Sequence, residues 1–307
     1  MAESDWLAER FQEKRPHLRA VAYRILGSHW EADDAVQEAW FRLTRSDVNC
    51  TENLGGWLTT VVARVCLDML RSRKSRKEES LEEQHPEALG NPRQANPVEE
   101  ALLADSVGSA LLTVLRTLTP AERVAFVLHD VFDLPFEEIA PIVGRSEAAA
   151  RQLASRARRR VRGCQEGRED EAKKREIVSA FLTASREGNF NALLQLLDPE
   201  ALLTADDVAV KTAEANKAKG APPFRSEMWG AKVVAETFQG RAVAAQLALI
   251  NGSVGTTWIA GGKPRVAFLF SIENGRIQGI DVVMDPEDLK EMEVIPLGSK
   301  GAGEMKV

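Results

Sequence analysis

The sequence predicts a multidomain chain in which two all-α domains are followed by one α+β domain. Three observations predict it. Apolar residues recur at helical spacing through residues 1–77 and again through 98–162. Between these blocks, residues 78–97 lose the periodicity and gather Pro86, Pro92 and Pro97 among Asn, Gln and Glu, which reads as a linker. From about residue 173, one or two helices give way to strand-like runs, with Asn-Gly at 251–252 and at 274–275 as hairpin turns. At 307 residues the chain exceeds one ordinary domain, and it holds no internal repeat.

The elements follow in order. In the first block, HLRAVAYRILG, DDAVQEAWFRL and WLTTVVARVCLDMLRSRK each carry an apolar stripe; Gly27 with Ser28 ends the first, and Gly55 and Gly56 precede the last. The second block contains LTPAERVAFVLHDVFDLPFEEIAPIVGRSEAAARQLASRARRRVR. Thr119 caps a helix with Pro120 at its first position, and Glu122 completes a capping box. PFEEIAPIV is a short helix from Pro135, Gly144-Arg145-Ser146 is a tight turn, and Ser146 caps the next helix, so the segment has a helix-turn-helix pattern. In the third block, KREIVSAFLTASREGNFNALLQLL is helical. ALLTADDVAV (201–210), RAVAAQLALINGSVGTTWIA (241–260) and RVAFLFSIENGRIQGIDVVM (265–284) read as strands.

Net charge is −6, so a nucleic-acid role has to come from segregation of charge rather than from its sum. Residues 146–162 hold six arginines (151, 156, 158, 159, 160 and 162) against Glu147 alone. The second helix of a helix-turn-helix enters the major groove by its N-terminal half, and Ala148, Ala149 and Ala150 permit close approach there. A second basic segment, 57–77, carries Arg64, Arg71, Arg73, Lys74, Arg76 and Lys77 against Asp68. The polar loop before it, DVNCTENLGG, offers Asn49 and Asn53 beside Gly55 and Gly56, the equipment to hold an unpaired base. Taken alone, this segment also reads as a solvated amphipathic helix with a loop. The preceding segment is acidic on one face (Glu31, Asp33, Asp34, Glu38) and aromatic on another (Trp40, Phe41); acids repel DNA, so this face should meet a protein.

Cys50, Cys66 and Cys164 lie far apart, and His17, His29, His85 and His129 do not cluster, so no metal, cofactor or disulfide framework is expected. The N-terminus lacks an apolar signal core, and no apolar run approaches the roughly 20 residues of a membrane helix. A cytoplasmic protein with no membrane partner is expected.

YRILGSHWEADDAVQEAWFRL followed by NLGGWLTTVVARVCLDMLRSRK resembles region 2 of an extracytoplasmic-function sigma factor, and the segment from Leu118 to Arg162 resembles its region 4. The likeness covers residues 5–162, with two independent motif sets in the right order. The remainder resembles a SnoaL-like (cystatin/NTF2-like) α+β cone. The resemblance implies sigma region 2 over 1–77, a linker over 78–104, the region 4 helix-turn-helix over 105–163, a connector over 164–173, the SnoaL-like domain over 174–290 and a tail over 291–307. It implies core RNA polymerase, through its β′ clamp and β flap, and promoter DNA as partners. Asp33, Asp34, Gln37, Glu38 and Trp40 match the clamp-docking helix. Asn49, Asn53, Arg64, Asp68, Arg71, Arg73 and Lys74 match the minus-ten segment. Ser146, Arg151, Gln152, Ser155, Arg156 and Arg159 match the minus-thirty-five segment. There are departures from the subgroup with this extension. His85-Pro86-Glu87 replaces a Trp-Leu-Pro-Glu-Pro stretch, ADDVAVK (205–211) stands in place of a glycine-rich one, and Met284-Asp285-Pro286-Glu287-Asp288 in place of Asn-Pro-Asp-Lys.

In the third domain Asp206, Asp207 or Asp281 could serve as a general base only if burial raised its pKa, and no histidine follows His129 to assist, so no enzyme is expected. Trp229, Trp258, Phe268 and Phe270 fit either a core or a ligand pocket. The competing function class is a stand-alone DNA-binding regulator or small-molecule sensor fused to a helix-turn-helix, which has no need of the acidic-aromatic helix. The C-terminal domain is expected to regulate the sigma domains in cis, with the last residues, Asp285 to Val307, helping to hold the free protein compact and autoinhibited; a solvated acidic tail is the alternative. Whether a separate anti-sigma partner exists stays open at this point.

Overall fold

The computed structural model describes residues 2–45, 53–82, 112, 114–163 and 169–297. It divides into two compact units, residues 1–158 and 159–307. Of the expected features, Asn49, the linker from residue 83 to 104 with His85-Pro86-Glu87, residues 164–168 of the connector and residues 298–307 of the tail lie outside the described residues.

The first unit opens with α1 (Ala2–Leu26), α2 (His29–Arg45) and α3 (Leu54–Glu82). They bury Leu18 and Ile25, Leu43, and Leu58 and Leu67 in a shared core, as the apolar stripes require. Gly27 adopts φ 71° and its N–H bonds Tyr23 O at 2.7 Å, the left-handed stop expected at the end of α1. Helix α3 starts earlier and ends later than expected: Gly55 and Gly56 belong to its first turn, and residues 78–82 are helical rather than linker. The cause is Asn53, whose Oδ1 accepts the Gly56 N–H at 2.9 Å and caps the helix ahead of the glycines. A Cβ on Gly56 would come 2.7 Å from Asn53 Nδ2, so a side chain there would require the capping carboxamide to shift.

The second helical block has α4 (Pro120–Phe126), continued by a π turn over Val127–Val131, then α5 (Phe136–Val143) and α6 (Glu147–Gly163). The capping box forms as expected, Thr119 Oγ1 accepting from Glu122 N at 3.3 Å and Glu122 Oε2 from Thr119 N at 3.0 Å. Gly144 takes φ 71°, Arg145 N bonds Ala140 O at 3.0 Å, and Ser146 Oγ accepts the Ala149 N–H at 3.2 Å. Turn and cap together fix the helix-turn-helix, whose core holds Leu128, Ile139 and Leu153.

Both helical blocks pack in this one unit. Phe132 meets the His17 ring edge-on at 5.4 Å and lies under the Arg24 guanidinium at 5.3 Å. Arg123 Nη1 donates to Ile25 O at 3.2 Å, and Arg64 Nη2 donates to Pro141 O at 3.3 Å. Burial, reinforced by the nearby Arg73 and Arg116 cations, pushes the Arg123 pKa down to about 10.

The second unit contains α7 (Glu169–Glu187), α8 (Phe190–Leu196), β1 (Leu197–Ala205), α9 (Asp207–Ala215), β2 (Glu227–Trp229), α10 (Ala231–Phe238), β3 (Gln246–Ile250), β4 (Ser253–Ala260), β5 (Lys263–Glu273), β6 (Arg276–Val283), α11 (Pro286–Lys290) and β7 (Val294–Pro296). The sheet order is β2-β1-β6-β5-β4-β3-β7, antiparallel except where β1 runs beside β6. Alternation divides its side chains. Leu247, Leu249, Phe268 and Phe270 join the core under α7–α10, whereas Ala248, Ile250, Ala267 and Leu269 join a smaller one with Leu289 and Met292. Asn251 and Asn274 take φ 51° ahead of Gly252 and Gly275, the hairpin turns expected.

Three expectations fail here. Strand β1 stops at Ala205, because Asp206 Oδ1 caps α9 through the Ala209 N–H at 2.7 Å; residues 207–210 are helical. Residues 241–245 precede β3 rather than forming strand, and the connector's residues 169–173 already belong to α7. Within residues 291–307, β7 pairs with β3; just before them Asp285 caps α11 and Asp288 is buried.

Within β4, a Cβ on Gly255 would meet Phe268 O at 2.5 Å and Ile250 Cδ1 at 2.9 Å. Gly255→Ala is therefore expected to destabilise the second unit by about 1–3 kcal/mol. Urea unfolding checks it; an unchanged midpoint would show that β4 and β5 sit farther apart.

Candidate nucleic-acid interface

Helix α2 places its acids in two adjacent stripes. Asp33, Gln37 and Trp40 line a shallow hollow of about 260 Å³ with Phe11, Gln12 and Arg15 of α1. Trp40 is held by Phe11, ring centroids 4.9 Å apart, and Asp33 by Arg19 Nε at 2.9 Å. Asp34, Glu38 and Phe41 form the neighbouring stripe; Glu38 pairs with Arg42 at 2.9 Å, while Asp34 and Gln37 are exposed. All five predicted docking residues thus fall on one side of one helix, anchored from behind by α1.

The minus-ten candidates lie along α3. Arg64, Asp68 and Arg71 are exposed and Lys74 is half-buried. Arg64 is engaged on Pro141 O, and Arg73 pairs with Glu31 of α2. Asn53, read as a base-holding residue, carries the α3 cap, so that carboxamide oxygen is already committed.

The minus-thirty-five candidates divide by helix phase. Ser146 and Arg151 are exposed at the start of α6, with Gln152 and Ser155 half-buried beside them. Arg151 pairs with Glu147 and lies over the Phe136 ring at 5.6 Å. Arg156 departs from the expectation. It is 5% exposed, with Nε 3.3 Å from Glu122 Oε1, so it belongs to the core of the helix-turn-helix and not to its reading face. Arg158 pairs with Asp130 at 3.1 Å. Arg159, the first residue of the second unit, donates to Asp281 Oδ1 at 2.6 Å, and Asp281 also accepts from Thr204 Oγ1. Sequence reasoning missed Glu122 and Asp130 as partners; only the capping box signalled that Glu122 faces inward.

Of the candidate carboxylates of the second unit, Asp206 and Asp281 are held by hydrogen bonds within the fold. Asp206 Oδ2 accepts from Met284 N at 2.6 Å and Asp285 N at 2.8 Å, besides its cap, and Asp207 is exposed. Among the described residues no group of acids, cysteines and histidines could hold a metal ion, and no helix is long and apolar enough to cross a membrane.

Comparison with known proteins matches this layout. The family described as Sigma-70 region 2 covers residues 11–76, and Sigma-70, region 4 covers residues 109–161. The ECF RNA polymerase sigma factor SigJ of Mycobacterium tuberculosis is 34% identical over 305 residues, spanning 94% of this chain and 96% of that protein. The Probable ECF RNA polymerase sigma factor SigI of the same species is 36% identical over 202 residues, 65% of this chain and 69% of that one. The crystal structure of M. tuberculosis SigJ aligns over 92% of this chain and 98% of its own, at 30% identity and TM-score 0.38. With both sigma regions matched in order and a relative alike over nearly the whole length, the chain belongs to the extracytoplasmic-function RNA polymerase sigma factors.

Proposed function

We propose that this sigma factor docks on the clamp of the polymerase β′ subunit through α2, reads the minus-ten element through α3 and the loop before it, and reads the minus-thirty-five element through the first turns of α6, with region 4 resting on the β flap. The second unit regulates this activity in cis, and the site of action is the cytoplasm. One observation carries the reading: two adjacent acidic-aromatic stripes on α2, Asp33, Gln37 and Trp40 beside Asp34, Glu38 and Phe41, stand in the same unit as two helices with the exposed cationic side chains Arg71 and Arg151. A stand-alone regulator would need one DNA-reading helix and no protein-facing acidic stripe.

Run-off transcription with core enzyme on a promoter library tests it. Arg151→Ala is expected to cost about 1–3 kcal/mol at one base pair of the upstream element. Arg160→Ala is expected to weaken all promoters alike and lower the salt slope by about one. Equal, sequence-independent losses for both would show that the first turns of α6 do not read bases. A chain truncated after residue 168 is expected to differ from the full chain in transcription; identical activity would make the second unit a passenger.

A further inference from the structure

The second unit encloses a cavity of about 390 Å³ between its sheet and helices, within the roughly 300–1,000 Å³ range of small-molecule sites. Its wall is apolar almost throughout. Phe181 of α7, Phe238 of α10 and Phe268 and Phe270 of β5 line one side. They lock one another in place: Phe181 lies 5.3 Å from Phe238 and 5.4 Å from Phe270, and Phe238 lies 5.9 Å from Phe268, all near edge-on. Ala209, Ala213, Ala244 and Ala245 line other parts of the wall, and side chains this small leave the space open.

The rim is bonded in place. Arg186 donates from Nε to Ala242 O at 3.3 Å and from Nη2 to Ala245 O. Ser185 Oγ donates to Phe238 O at 2.5 Å, and Gly240 N donates to Ser185 O at 2.7 Å. These bonds tie the end of α7 to the segment between α10 and β3.

Its polar lining is small and one-signed. Thr212, Asn216 and Thr256 contribute neutral groups, and Arg241, exposed with Nη1 3.3 Å from Thr237 O, is the single charged side chain of the lining among the described residues. Among the described residues no carboxylate and no histidine belongs to it; Asp206 Oδ2 and Asp281 Oδ1 are hydrogen-bonded elsewhere. Such a wall has no general acid or base and favours an apolar body with one negative end.

We propose that this cavity binds an apolar carboxylate of medium size, its hydrocarbon against the phenylalanine cluster and its carboxylate at Arg241. The inference is independent of promoter reading and is tested without polymerase. Titration calorimetry on the full chain compares decanoate, decan-1-ol and decylamine, three probes with one chain length and different heads. Decanoate is expected to bind in the range of tens of micromolar, decan-1-ol about tenfold more weakly for want of the charge-assisted hydrogen bond, and decylamine not at all. Arg241→Gln is expected to reduce decanoate to the level of decan-1-ol and leave decan-1-ol unchanged. Ala213→Trp, which fills the cavity, is expected to abolish both. Ala244→Phe, at an exposed rim position that tolerates size, is expected to weaken both without lowering the unfolding midpoint. Silence toward decanoate, decylamine binding as tightly as decanoate, or an Arg241→Gln chain that keeps the tenfold preference would each overturn the proposal.

Discussion

Arg156→Ala is expected to cost the helix-turn-helix about 3–5 kcal/mol, the range for breaking a buried ion pair by removing one partner. Glu122 is fully buried and Arg156 is 5% exposed. The carboxylate has two tasks. One oxygen closes the capping box on Thr119 N at 3.0 Å, and the other lies 3.3 Å from Arg156 Nε. Alanine leaves that second oxygen in the core without this cation, where water cannot replace it. Domains hold only about 5–15 kcal/mol in all, so the variant should unfold at markedly lower urea. Arg156→Met combined with Glu122→Gln removes both charges, keeps a side chain at the cap and should recover much of the loss. The contrary result is specific: a variant of unchanged urea midpoint that loses affinity at one promoter base pair would put Arg156 back on the reading face.

Asp34→Lys combined with Glu38→Lys is expected to abolish capture by core polymerase while leaving the fold intact. Both side chains lie on the outward stripe of α2; Asp34 is exposed and Glu38 makes only a surface pair with Arg42. An exposed pair of this kind contributes about 0.3–0.5 kcal/mol, so stability should barely move. Reversing two charges at a docking face places like against like, at a cost of several kcal/mol, or a factor on the order of a thousand in affinity. Co-purification with core enzyme, beside an unchanged thermal midpoint, checks it. Undiminished capture would mean that another face meets the polymerase.

Features governed by neighbours in sequence were legible. The capping box at Thr119 and Glu122, the left-handed stops at Gly27 and Gly144, and both Asn-Gly hairpins stand where local chemistry puts them. What escaped depends on partners distant in sequence. Arg156 is one of six arginines in a basic run, and nothing local separates it from Arg151; Glu122, thirty-four positions away, turns it inward. Asp206 reads as an interruption in a strand until Met284 and Asp285 bring their N–H groups to it. Likewise β7 is three residues long and exists only because β3 offers an edge. At the candidate interface, most of the residues singled out from sequence lie on α2, α3 and α6. The sequence could not tell which of their charged side chains the packing would consume.

The contacts of Arg64 with Pro141 and of Arg123 with Ile25 reach beyond stability. Elements centred near minus ten and minus thirty-five are about 25 base pairs apart, roughly 85 Å of duplex at 3.4 Å per step. If α3 and α6 read these elements as proposed, a chain whose α3 hydrogen-bonds α5, the helix just before α6, cannot span that distance as it stands. If the extended form makes up about one part in a hundred of the free chain, its apparent hold on naked promoter falls about a hundredfold. Polymerase, by binding the extended form, restores what was lost. Core enzyme and promoter then become positive effectors of each other's binding, by the same factor in both directions. Unaccompanied sigma would pass over promoters it is able to read, leaving them unobstructed until the holoenzyme arrives.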